Sequence, residues 1–534
     1  MRKLLNIFIL TSIISCVSSY KILLYSNLFG HSHVKVLAAA ADILTDAGNN
    51  VTVLMPVFDN NLRNKTSLKS TKNTIFVEAG PNVEELMSDM RQFLANAWKE
   101  DTGNPITMMK AAQDMGTAFA EQCTKVISEP GLLEKLKAEN YDLAITEPFD
   151  TCGYALFEAI NIRAHVAILT ANRFDHVTDV IGQPIASSYV PGTQSETGDR
   201  MTMGERLGNY FQFLVGSYFF SLIGDRDFEA AKSVVPITRS WREVLPEASF
   251  ILTNQIPLLD FPAPTFDKIV PIGGLSVKTE KKNLKLDEKW SKILGIRKNN
   301  VFISFGSNAK SVDMPDEFKN SLADVFKSMP DTTFIWKYEN TSDPIVNHLD
   351  NVHLGDWLPQ NELLADPRLS VFVTHGGLGS VTELAMMGTP AVMIPLFADQ
   401  GRNAQMLKRH GGAVVIEKNN LADTHFMKET LEKVIKDPKY LENSKRLAEM
   451  LTNQPTNPKE TLIKYVEFAA RFGKLPSLDN YGRHQSYIEY FFLDIIAILA
   501  VISLFSLYIS YIILRAVIRK IFFSKCSEVK SKTE

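Results

Sequence analysis

Apolar runs rich in β-branched residues recur along the first half of the chain at 21–26, 50–56, 74–79, 142–147 and 165–170, and longer helix-like stretches such as 34–47 separate them. Uninterrupted apolar runs read as strands buried on both faces. Their alternation with helices predicts a parallel sheet covered on both sides, a Rossmann-like lobe. A second series at 301–307, 333–338, 370–374, 391–396 and 413–417 predicts the same architecture again. Between the two, 276–298 holds eight Lys or Arg, few apolar residues and no clean period, and reads as a linker. The chain length of 534 residues agrees with two cores rather than one. The expected order is a first lobe over 20–275, the linker, a second lobe over 299–455, and a segment, 456–494, that returns across the first lobe. The apolar stretch 211–224 is too short to span a bilayer and is expected as a buried or membrane-touching helix of the first lobe.

The two ends carry different hydrophobic signals. Arg2 and Lys3 precede a largely apolar run over 4–14, with Ser18 and Ser19 after it, the layout of a cleavable secretory signal over 1–19. Residues 495–514 form a charge-free stretch long enough for one transmembrane helix. Beyond it, 515–534 carries six basic side chains against two acidic ones, and this excess is expected to stay cytosolic. A single-pass type I protein with its bulk in a lumen follows. The ending Lys530-Ser531-Lys532-Thr533-Glu534 matches a Lys-x-Lys-x-x return signal to the endoplasmic reticulum, with a merely basic juxtamembrane tail as the alternative.

Composition changes this picture little. With 45% hydrophobic and 22% charged residues and a formal net charge of -3, the chain has no nucleic-acid footprint, so partners are sought in sites. Of four cysteines, Cys16 leaves with the signal and Cys526 faces the cytosol. Cys123 and Cys152 remain, either as one lumenal disulfide or as two buried thiols, without metal-ligand spacing. Sequons stand at Asn50, Asn64 and Asn340, the last two better placed for glycans because Asn50 enters a strand.

The chemistry concentrates between Trp357 and Gln400. Trp357-Leu358-Pro359-Gln360 is followed by the strand and turn ending Thr374-His375-Gly376-Gly377-Leu378-Gly379-Ser380, then Glu383, then Pro395-Leu396-Phe397-Ala398-Asp399-Gln400. Glycines at 376, 377 and 379 let backbone approach a phosphate, and the helix they open presents free N–H groups and a positive dipole end. A diphosphate suits that turn. An ordinary strand-to-helix turn is the plain alternative. Dinucleotide binding is a sharper rival, since Asp399 ends the next strand at the distance of a ribose-binding acid, but Thr382 occupies the third glycine position. An Asp-x-Asp triplet, Asp225-Arg226-Asp227, lies outside this segment, and no metal is assigned to it.

The order Trp-x-x-Gln, His-Gly-Gly, Ser-x-x-Glu and Pro-x-x-x-Asp-Gln resembles the signature of the UDP-glycosyltransferase family, and the signal, span and basic tail resemble the membrane-bound UDP-glucuronosyltransferases. The resemblance implies an α/β, GT-B-like fold of two facing Rossmann-type domains plus one C-terminal transmembrane helix. It implies that Trp357 stacks on uracil, Gln360 and Glu383 hold ribose hydroxyls, and His375, Gly376, Gly377, Ser380 and Ser307 meet the diphosphate. Asp399 and Gln400 then hold sugar hydroxyls. It also implies a base at the first strand-to-helix turn, where counting back from Gly48 selects His33 over His31. The family's carboxylate partner falls on Glu147, where aspartate is usual, with Asp150 as the fallback. The implied reaction takes glucuronate from UDP-glucuronate to a hydroxyl of a small lipophilic acceptor, inverting to a β-glycoside, with UDP-sugar as co-substrate and no further cofactor. Gly379 stands where many members carry asparagine, so UDP-glucose is an alternative donor. A non-catalytic membrane protein binding nucleotide-sugar or lipophile is the second alternative, and a homo-oligomer stays open.

Overall fold

The computed structural model describes residues 19–100, 105–277 and 284–530. All of the expected signal but Ser19, all of the return signal but Lys530, and 278–283 of the linker lie outside the described residues. One compact body runs to Asp479, and residues from Asn480 form a second unit.

The body contains two wholly parallel sheets. The first is built from β1 (Lys21–Tyr25), β2 (Asn50–Pro56), β3 (Asn73–Val77), β4 (Leu143–Thr146), β5 (His165–Leu169), β6 (Ile251–Thr253) and β7 (Ile269–Pro271), in the order β3-β2-β1-β4-β5-β6-β7. The second uses β8 (Asn299–Ser304), β9 (Thr332–Lys337), β10 (Val352–Gly355), β11 (Val371–Thr374), β12 (Ala391–Met393) and β13 (Ala413–Val415), in the order β10-β9-β8-β11-β12-β13. Both follow the doubly wound Rossmann plan, in which the direction of winding reverses beside the first strand. The reversal falls between β1 and β4 in one sheet and between β8 and β11 in the other. Loops leaving the carboxyl ends of those four strands therefore face an open crevice, where ligands bind in such sheets.

Three strands, β6, β7 and β10, have no counterpart in the apolar runs of the sequence. They are three or four residues long. The central strands are legible because Ile22, Leu23, Leu24, Val301 and Phe302 are buried on both sheet faces.

Helices cover both sheets. In His31–Asp46, Val34, Leu37, Ala41 and Leu44 recur at helical spacing and sink beneath β1 and β2. The stretch 211–224 belongs to a longer helix, Met203–Lys232, started by a capping box between Thr202 and Glu205. It buries Phe213, Phe219, Phe220 and Ile223 and exposes Leu207, Phe211 and Tyr218. Within the stretch read as a linker, Glu288–Leu294 is helical and places Trp290, Ile293 and Leu294 in the second lobe's core, so charge on its outer face concealed an apolar inner one. Helix Pro458–Phe472 puts Leu462, Val466, Ala469 and Ala470 into the core of the first lobe. Cys123 and Cys152 form a disulfide, tying the long helix Pro105–Ile127 to the start of Cys152–Ala159.

In the second unit the helix Leu493–Lys530 contains a 31-residue apolar stretch, Leu493–Phe523, long enough to cross a membrane. It outruns the charge-free window 495–514 and takes in Asp494 at its start and Arg515, Arg519 and Lys520 near its end.

Candidate active site

The crevice of the first sheet holds a histidine–carboxylate pair. Gly30, at φ +68°, turns the chain sharply after β1 so that His31 and His33 enter the first turn of the next helix. Glu147 follows β4 directly, and Thr170 follows β5. Strand order brings the three together. Nδ1 of His33 lies 2.8 and 3.0 Å from the two oxygens of Glu147. The backbone N–H of Thr170 donates to the same carboxylate at 3.2 Å, its hydroxyl also donates there, and that hydroxyl lies 2.9 Å from Nδ1. A carboxylate at Nδ1 fixes the proton there and leaves Nε2 as the basic nitrogen.

Electrostatics tune this ring. Burial by itself would lower its proton affinity, but the charge and hydrogen bond of Glu147, with the charge of Asp399, outweigh it and raise the pKa above the ordinary 6.5. His31, by contrast, is pushed down by burial and by Lys35 and Lys65. Asp150 does not reach His33. It accepts from Asn27 and from the backbone N–H of Cys152, and burial, then the charges of Asp227 and Glu147, hold its carboxyl well above the usual range.

The second lobe supplies the other wall. After β8, Gly306 takes φ +82°, and after β11, Gly376 takes φ +90°. The ring of His375 lies between Gly306 and Gly377: a Cβ on either would come within 2.8 Å of it. Those glycines are required by close approach. Burial, with the charge of Lys337, lowers His375 to a pKa of about 4, so at neutral pH it is an uncharged hydrogen-bonding group. The helix Leu378–Met387 starts here, with Ser380 and Glu383 in its first turns. Gln360 donates to Ser380 at 3.1 Å and to Glu383 at 2.7 Å, joining three of the expected residues in one cluster.

Asp399 and Gln400 begin the helix Gln400–Lys408 after a loop in which Ala398 holds φ +55°, a conformation rare for residues with a side chain. The side-chain Oε1 of Gln400 accepts from the N–H groups of Leu396 and Phe397, which leaves its side-chain NH2 for a ligand. Asp399 accepts from Asn403 at 2.8 Å, and burial raises its pKa. Its charge and that of His33 act on each other.

Between the walls lies a cleft of about 1680 Å³. Phe29, Met87, Met90, Met108, Phe219 and Phe220 line it from the first lobe, and Ser307, Trp357, Pro395 and Ala398 from the second, with His31 and His33 at the junction. Trp357 is 73% exposed at its edge and offers a flat face. The aromatic ring of Phe149 packs edge-on against His33 with centroids 4.9 Å apart. Thr170, Phe149 and Lys35 escaped sequence reasoning. A hydroxyl residue at the end of the apolar run 165–170 was the available signal for Thr170.

The Asp-x-Asp triplet does other work. Asp225 accepts from the indole of Trp241 and pairs with Arg242, whereas Asp227 is buried and accepts from the backbone N–H groups of Thr151 and Cys152.

Comparison with known proteins bears on the family and the fold. The family model described as UDP-glucoronosyl and UDP-glucosyl transferase matches residues 21–528. Mouse UDP-glucuronosyltransferase 2A2 is 26% identical over 87% of the chain and 88% of its own length, and human UDP-glucuronosyltransferase 1A10 is 26% identical over 87% and 86%. Among solved structures, the calicheamicin glycosyltransferase CalG4 superposes with a TM-score of 0.55 at 15% identity, covering 85% of this chain and all of that one, which shows a shared GT-B fold.

Proposed function

The chain belongs to the UDP-glycosyltransferase family that this model describes, and from that premise we propose that it moves glucuronate from UDP-glucuronate to a hydroxyl of a small lipophilic acceptor. The observation that carries the proposal is the His33–Glu147 pair in the wall of the cleft, within reach of the charge of Asp399. The acceptor lies on the Phe- and Met-rich wall, where unbranched thioethers accommodate varied shapes. Its hydroxyl proton passes to Nε2 of His33 as the oxygen bonds to the anomeric carbon. The bond from that carbon to the diphosphate breaks, and its electron pair leaves with UDP. Attack from the face opposite the leaving group turns an α-linked donor into a β-glycoside. Glu147 stabilises the imidazolium that forms.

The nucleotide rests on the second lobe, with uracil on Trp357, ribose on Gln360 and Glu383, and the diphosphate against His375, Ser380, Ser307 and the N–H groups opened by Gly376 and Gly377. Asp399 and Gln400 take sugar hydroxyls. Glucuronate is favoured because the mammalian relatives aligned over most of the chain bear that name. UDP-glucose is the second reading, favoured by Gly379: a Cβ there would meet nothing within 4 Å, so no side chain at that position holds the donor. The apolar helix Leu493–Phe523 and the basic residues after it support a type I anchor in the endoplasmic reticulum with both lobes lumenal.

The test incubates microsomes containing the protein with labelled UDP-glucuronate or UDP-glucose and a panel of phenols. Transfer from UDP-glucuronate that disappears in His33→Ala is expected. Transfer from neither donor, with His33→Ala indistinguishable from wild type, would sink the enzyme reading. Protease added to intact vesicles should remove only the tail.

A further inference from the structure

Glu383 is the most enclosed carboxylate of the nucleotide wall, with 4% of its side chain exposed, and its two oxygens have different partners. Oε2 accepts from Gln360 of its own lobe at 2.7 Å. Oε1 accepts at 3.1 Å from Nζ of Lys35, which comes from the opposite lobe, on the helix that carries His33. Residues two apart on a helix diverge by about 200°, so this one turn serves its own lobe through His33 and the facing lobe through Lys35.

A carboxylate beside a diphosphate is repelled by the ligand's negative charges, and a cation on one of its oxygens offsets that repulsion. An ionised carboxylate has about four acceptor sites. Lys35 and Gln360 occupy one on each oxygen, which leaves one on each for a vicinal diol, so the lysine need not be displaced when nucleotide enters.

We propose that Lys35 is a positioning residue of the nucleotide site contributed by the acceptor lobe: it holds Glu383 aimed at the ribose, offsets the repulsion between that carboxylate and the diphosphate, and ties the lobes together across the cleft while a nucleoside diphosphate is held. This rests on the assignment of Glu383 to the ribose. The pair is one-third exposed at Lys35, so solvent weakens it, and its effect on binding is moderate and salt-dependent.

The test titrates UDP and uridine calorimetrically into the detergent-solubilised full chain and measures transfer kinetics in wild type, Lys35→Met, Lys35→Arg, Glu383→Gln and the double variant. Lys35→Met should raise the Kd for UDP and the KM for UDP-sugar about tenfold, with kcat within about twofold, and should affect uridine less because it lacks the diphosphate. Lys35→Arg should retain UDP affinity within about threefold, and Lys35→Met should add nothing once Glu383 is Gln, because the two act as a pair. Unchanged or tighter UDP binding in Lys35→Met overturns the proposal, as does a loss that is equal for uridine and UDP and additive with Glu383→Gln. If Glu383→Gln itself leaves uridine affinity unchanged, the ribose assignment fails and the role of Lys35 falls with it.

Discussion

His33 is held at Nδ1 by Glu147 and raised in proton affinity by that carboxylate and by Asp399. A base works when deprotonated, so the rate should fall as pH drops through this raised pKa, which places the acid limb above pH 6.5. Glu147→Gln keeps the shape and removes the charge. Burial then dominates, the pKa falls, and the acid limb of the pH–rate profile should move to lower pH while the plateau drops on the order of 100-fold. An acid limb that stays in place would show that another group titrates. A second residue-scale prediction concerns Gly306. Alanine there meets both a positive φ and the ring of His375, so Gly306→Ala should weaken UDP binding about tenfold by displacing that ring, measured by titration, while its backbone strain is worth about 1–2 kcal/mol in thermal unfolding. Undiminished affinity would free His375 from the diphosphate role.

Two helices position the chemistry. His31–Asp46 aims His33 because its buried stripe fixes its rotation against β1 and β2. Cys152–Ala159 starts five residues after Glu147 and is clamped twice, by the disulfide to Cys123 and by Asp227, which accepts from the N–H groups of Thr151 and Cys152. The disulfide closes a loop with a sequence separation of 29 residues. Removing such a cross-link destabilises by about 3–4 kcal/mol in the chain-entropy account. Cys152→Ala, or dithiothreitol added to wild type, should destabilise by a similar free energy, seen as a lowered melting temperature, and activity should decline with it. Identical melting with and without reductant would contradict the bridge. Sequence spacing left this pair as bridge or thiols, since only the packing of Pro105–Ile127 against Cys152–Ala159 brings the two sulfurs together.

At the scale of the whole body, the lobes are joined by buried polar contacts as well as by chain. Arg402, 3% exposed, pairs with Asp260, 2% exposed, at 2.8 Å and donates from Nε to the carbonyl of Pro191 in the first lobe at 3.2 Å. Trp98 of the first lobe packs among second-lobe residues and donates to the carbonyl of Lys310. Breaking a buried pair leaves an uncompensated charge, so Arg402→Ala should destabilise by about 3–5 kcal/mol and impair transfer through misplaced lobes, visible as a lowered melting temperature. A change below about 1 kcal/mol would mean that the arrangement does not depend on this contact.

The sequence by itself determined what local periodicity and local chemistry can encode: two runs of alternating strands and helices, a glycine-rich turn from Thr374 to Ser380 suited to phosphate, and a C-terminal stretch apolar enough to span a membrane. It also brought out His33, with Glu147 as its carboxylate partner and Asp150 as the fallback, through a family resemblance. Only the tertiary structure decided which groups meet. Thr170 joins His33 and Glu147 because β5 lies beside β4, and Lys35 reaches Glu383 across 348 residues of chain because two crevices face each other. Strand order and the apposition of lobes arise from long-range pairing and burial, which no window of sequence contains, and short strands such as β6, β7 and β10 form only because neighbours already in place satisfy their backbone.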